Sequence, residues 1–169
     1  MFSTATNSIT PLGLFVIRMV PVATTTGLIM CHYLQHLMFS SFLTAKPPAK
    51  GNLRVLPHLI RVCFWGIIPL VLVLEFASYG CLAANIIHRP HLRGWYSVGF
   101  ACSISHLVNA PYAWNLLQTM MNGDATVEDT DKPELRTALN DFVRMNRLRV
   151  FLTEVPLMAI AIRGALVEV

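Results

Sequence analysis

Four long apolar runs, separated by short polar or turn-forming breaks, organise the chain. The first covers about 12–43 and is spotted with polar residues. It ends in a break at Thr44–Asn52, where Pro47, Pro48 and Gly51 favour a turn. The second covers about 58–87 and reads VCFWGIIPLVLVLEFASYGCLAANII from Val62 onward. Pro90 and Gly94 mark the next break, and a third run follows over about 95–121. The segment Asn122–Pro133 carries Asp124, Glu128, Asp129 and Asp131 and is expected to be a surface loop. The fourth run begins at Pro133, a favourable first-turn residue with Glu134 beside it. It is amphipathic through Arg149, then apolar to about Ile162, so a helix over 134–162 is predicted. No run shows the two-residue alternation of a barrel strand, and helices satisfy their own backbone in lipid. About 20 apolar residues cross a hydrocarbon core of roughly 30 Å. The pattern therefore predicts an all-α, integral membrane four-helix bundle, one domain spanning 1–169.

Composition agrees with the pattern. Of 169 residues, 54% are apolar and only 13% charged, against about 25% charged in average soluble chains. The net charge of +4 does not point to nucleic acid, because the basic residues collect in the breaks. Lys46, Lys50, Arg54 and Arg61 in the first break place it, with the acidic loop, on the cytoplasmic side. Cys31, Cys63, Cys81 and Cys102 lie in apolar runs without a CxxC pair and read as small core residues. The segment MFSTATNSITPLG has no positive region ahead of its apolar run and reads as the start of a helix, not a cleaved signal. A multi-pass protein of the endoplasmic reticulum membrane is the expected setting.

The candidate chemistry starts with Glu75, near the middle of the second run. A carboxyl group at that depth costs about 2.5–3.5 kcal/mol even on mild insertion scales, so something must compensate it. Glu154 poses the same problem inside VFLTEVPLMAIAI. Two buried carboxyl groups suit a general acid/base pair, and pairing each with an arginine or histidine for structure alone is the rival account. On the first helix, Arg18, Thr25, His32 and His36 fall within about 60° of one another, a polar stripe that can line a cavity. His32 and His36 also have the i, i+4 spacing of metal ligands. That pair alone lacks the further histidine clusters of membrane di-iron enzymes, so no metal and no cofactor is called for. The third helix offers Cys102, Ser105, His106 and Asn109 on one face, then PYAWN. Pro111 is expected to kink that helix and leave Tyr112, Trp114 and Asn115 around a ligand-sized gap. In DFVRMNRLRVFLTE, Asn146, Arg149 and Thr153 share a face.

The pattern F-x-x-M-N-x-x-R at Phe142, Met145, Asn146 and Arg149 resembles one near the last helix of the DUF1772, or anthrone oxygenase-like, membrane family. The stretch APYAWNLLQTMMNGD is similar to that family's third-helix end, and TTTGLIM has its small-residue character. The likeness covers the four-helix layout and two short motifs. Phe142 stands where the family has tryptophan, and Glu75 and Glu154 have no counterpart in the oxygenase pattern. The resemblance implies either cofactor-free anthrone oxidation or, among members of similar size, epoxide opening in polyketide pathways of the aurovertin and citreoviridin type. The two buried acids favour the second.

The reading that follows is a tailoring enzyme of secondary metabolism opening epoxides of a polyketide by hydrolysis or cyclisation. Glu75, Glu154, His32 and His36 are the expected catalytic residues. Arg18, His106, Asn109, Tyr112, Trp114, Asn115, Asn146 and Arg149 are expected to contact a lipophilic substrate. The bilayer is the expected environment, and a homodimer is left open. An oxygenase using His32, His106 and Asn146 and a non-enzymatic subunit of a membrane complex are the alternatives.

Overall fold

Apolar side chains that recur every third or fourth residue need a partner surface, and here four helical segments supply it to one another. The computed structural model describes residues 9–44, 52–122 and 133–167. It is all-α among these residues, with α1 (Pro11–Thr44), α2 (Asn52–His88), α3 (Arg93–Met121), α4 (Pro133–Arg149) and α5 (Val155–Leu166). A 3₁₀ turn at Pro90–Leu92 joins α2 to α3, and a π turn at Val150–Glu154 joins α4 to α5. The expected loops at 45–51 and 123–132 and the helix-start signal at 1–8 lie outside the described residues. Two helices, α1 and the Val55–His88 part of α2, are long and apolar enough to cross a membrane.

Two boundaries differ from expectation. α2 begins at Asn52, not His58, and carries Pro57 inside it. Proline forfeits one helical hydrogen bond, but Leu56 and Ile60 on either side are fully buried and hold the helix to its neighbours. The fourth segment is one continuous helical path interrupted by the π turn, whose wider ring is closed by the Val155 N–H donating to the Val150 carbonyl. Pro156 follows directly. In an α-helix its ring would clash with the carbonyl four residues back, and a wider turn relieves that crowding. The turn also has a rotational effect. Eight residues of α-helix would set Glu154 about 80° around the axis from the buried Asn146, and one inserted residue brings it back to about 20°.

The helices pack in a ring: α1 on α2, α2 on α3, α3 on the α4–α5 path, and that path on α1. Phe39, Leu56, Ile60, Met120, Leu139 and Phe142 form one core at the α4 end. The Phe39 and Phe142 rings meet edge to face at 5.2 Å. Leu82, Tyr96 and Leu157 form a second core near the α2–α3 connection. At that end Arg89 is buried and donates to the Tyr96 hydroxyl at 2.7 Å and the Val167 carbonyl at 2.6 Å. It also donates to the Gly164 carbonyl, and Arg18 donates to the Ala165 carbonyl. Two guanidinium groups thus cover carbonyls that the end of α5 leaves without helical partners.

Gly164 is required by this lock, because a Cβ there would lie 2.4 Å from the Tyr96 hydroxyl oxygen. At Gly80 nothing lies within 4 Å of the added atom. Gly164→Ala is expected to destabilise the fold by about 1–3 kcal/mol through overpacking, while Gly80→Ala is neutral or stabilising. Thermal unfolding of the two variants in detergent measures this, and equal midpoints would contradict the packing described.

Candidate active site

Each segment of the bundle sends one ionisable side chain to a common point between the two cores. His32 comes from α1, Glu75 from α2, His106 from α3 and Glu154 from the π turn. Their contacts follow the packing order of the helices. Glu75 Oε1 pairs with His106 Nδ1, His106 Nε2 lies 3.1 Å from Glu154 Oε1, and the same oxygen meets His32 Nδ1. The two imidazole rings stand edge to face, with centroids 5.6 Å apart. All four residues are buried, Glu154 completely.

These contacts are not equivalent. Only the Glu75–His106 contact has the direction of a hydrogen bond. Glu154 Oε1 is close to one nitrogen of each imidazole, yet neither Glu154 oxygen has an aligned donor among the described residues, so those contacts are electrostatic. The His106 imidazole therefore stands between two carboxylates, held by one through Nδ1 and facing the other through Nε2. This is the disposition of a ring that passes a proton from one nitrogen to the other.

Arg149 completes the charge balance. Its guanidinium is near enough to attract both Glu154 and Glu75. It donates to Asn146 Oδ1 at 3.1 Å, and Asn146 Nδ2 donates to the His32 carbonyl at 3.1 Å. The amide thus ties α4 to α1 at the level of the ring, and the arginine faces the acids. Two carboxylates, one guanidinium and one proton sum to zero. His32, His106 and Glu154 also present one donor atom each within 4.8 Å of one another, a set that fits a divalent cation. Beside Arg149 such an ion leaves a net positive charge in a buried site, whereas a single shared proton leaves none. Uncompensated buried charge is the costlier state, so we read the ring as a proton holder.

A cavity of about 320 Å³ opens from the ring. His32, Glu75, His106 and Arg149 form its polar end, and residues such as Ile68, Val71 and Leu117 make the rest apolar. Trp114 lines it and packs against Phe64 at 5.5 Å between centroids. The sequence-predicted residues divide accordingly. Glu75, Glu154, His32 and His106 converge, with Asn146 and Arg149 supporting them. His36, one turn further along α1, lies outside both the ring and the cavity lining. Arg18, near the start of α1, is away from the ring at the end of the bundle where it donates to the Ala165 carbonyl of α5. Asn109 and Tyr112 line a separate cleft between α3 and α4, and Asn115 is exposed. Tyr79, one turn from Glu75, and Gln35 line the cavity without having been anticipated. For Tyr79 the i, i+4 spacing from Glu75 was the available signal. Comparison with known protein families, with characterised proteins and with solved structures gives no match to this chain.

The charge balance makes two expectations. Arg149→Met should destabilise by about 3–5 kcal/mol, the usual result of leaving a buried charge unpaired, and adding Glu154→Gln should recover part of that loss. A double-mutant cycle by denaturant unfolding reads the recovery, and strictly additive losses would separate Arg149 from the ring. Chelator treatment should leave the unfolding midpoint unchanged. A chelator-induced drop reversed by a divalent ion would reassign His32, His106 and Glu154 to a cation.

Proposed function

We propose that this chain is a membrane-embedded tailoring enzyme that opens epoxides of a lipophilic polyketide by acid/base catalysis, through hydrolysis, cyclisation or both. The observation that carries the proposal is the convergence of two carboxylates on one imidazole at the end of an apolar cavity. The membrane setting is supported by the two spanning-length helices and by outward apolar side chains such as Trp65, Val108 and Leu152, at 70%, 77% and 68% exposure. Large apolar side chains exposed on several segments fit contact with lipid or a partner. All four helical segments crossing, in the endoplasmic reticulum, belong to the same proposal, as does the resemblance to the epoxide-opening members of the anthrone oxygenase-like family.

An epoxide needs a proton on its oxygen as one C–O bond breaks, and a nucleophile at the carbon released. One carboxyl group of the ring donates that proton. The other, through His106, takes a proton from the attacking water or from a substrate hydroxyl. The His106 imidazole moves protons between the two, so the cluster ends each turnover with the proton it began with. Arg149 orients the oxygen functions of the substrate, and the apolar cavity keeps bulk water away so that a substrate hydroxyl competes as nucleophile. His36 has no role in this scheme.

Conversion of a polyene bis-epoxide by membranes carrying the chain, under anaerobic conditions, tests the proposal. Wild type should turn over, and Glu75→Gln should lose about 100-fold or more, the scale of an acid/base contribution. No anaerobic conversion, with oxidation of an anthrone once air is admitted, would move the chain to the oxygenase reading.

A further inference from the structure

A second cavity, of about 550 Å³, lies between α3 and the α4–α5 path. Its outer lip includes the exposed, lipid-facing Val108 and Leu152, and its polar side chains run along its length. Asp141 and Arg144 stand at one end, Ser105 and Thr153 at the other, and Asn109 along the side. Arg149 lines both cavities, so it stands as the wall between them.

The two openings face different surroundings. The α4 helix exposes Arg136, Arg144 and Arg147, while over the next two turns, 148–155, the exposed residues are Leu148, Phe151, Leu152 and Val155. That change from charged to apolar marks a water–lipid boundary at the level of Arg149. The cleft crosses this boundary, with its charged end on the water side. The first cavity instead reaches the surface between α2 and α3, where Leu72, Phe76 and Leu107 are exposed on its rim. The Phe64–Trp114 contact closes that window at one end and the Tyr79–Ser103 contact at the other. Pro69 and Pro111 lie within it, one on each bordering helix.

Resting on the epoxide-opening reading, we infer that the site is fed from two sides: a lipophilic epoxide enters from the bilayer between α2 and α3, water enters through the α3–α4 cleft, and Arg149 controls whether water meets the substrate. In hydrolysis an epoxide C–O bond breaks and a water O–C bond forms. The epoxide oxygen gains a proton from the ring and water returns one. In cyclisation a substrate hydroxyl oxygen forms the new bond and returns the proton, and no water is consumed. The cleft therefore serves only the first outcome and the window serves both. Arg149 acts on the product ratio as a positioning residue.

Two substitutions away from the ring test this with a bis-epoxide that yields both diol and cyclic ether. Leu107→Trp, on the window rim, should lower both products together by about tenfold. Ser105→Leu, in the cleft, should lower ¹⁸O-labelled diol by about tenfold and spare the cyclic ether. An unchanged diol-to-ether ratio in Ser105→Leu would overturn the water route. Thiol labelling of the membrane-bound chain reads the geometry without any turnover. Ser105→Cys should add labelling by a charged thiosulfonate from water, and Leu107→Cys only by a lipid-soluble maleimide, each as an increment over wild type. Equal labelling of both by the charged reagent would overturn the two-sided arrangement. Labelling as expected with no epoxide turnover would leave both routes standing and sink the enzymatic reading.

Discussion

Two carboxylates buried in the middle of an apolar bundle are the constraint around which the rest is arranged. Each would be prohibitive alone, since an ion loses several kcal/mol of hydration in such a place even after relaxation. The bundle meets this by supplying, within one layer, two imidazoles, one guanidinium and room for one proton. Because each of the four helical segments contributes one member, the layer exists only when all are assembled. The polar ring therefore specifies the register of the bundle as well as its chemistry, a role polar layers play in other helical assemblies.

Several local features make sense as consequences. The π turn rotates Glu154 inward, onto the face that already carries Asn146 and Phe142. Asn146 fixes α4 against the backbone of α1 and presents its oxygen to Arg149. At the far end Arg89 and Arg18 bind the last carbonyls of α5. Their charges meet backbone dipoles there and stay out of the ring. The same sign of charge thus serves two tasks, set apart by the length of the bundle.

Much of this was legible in the amino-acid sequence, for a physical reason. A charge in a long apolar run is expensive, so Glu75 and Glu154 identified themselves, and His32 followed from the polar stripe of α1. The helical class and the α1 and α3 boundaries came from the same hydropathy pattern. Pairing was not legible. Which histidine meets which glutamate depends on how far antiparallel neighbours slide past one another, and local periodicity carries no record of that. The π turn moves Glu154 by about 100° relative to a regular helix, which alone defeats an argument from spacing. His36 and Arg18 illustrate the opposite error. They share the stripe with His32, but the ring takes only one turn of that helix. Asn115 follows the aromatic step of α3 in sequence but sits on the exposed face of that helix.

The four-helix ring depends most directly on the bond between His106 and Glu75. Proton–nitrogen NMR of the histidine-labelled chain in detergent micelles tests it. One imidazole N–H should exchange slowly with solvent and resonate far downfield, as a buried proton shared with a carboxylate does, and it should vanish in both His106→Gln and Glu75→Gln. A spectrum in which every imidazole proton exchanges freely, or in which the protected one survives Glu75→Gln, would contradict the four-helix ring.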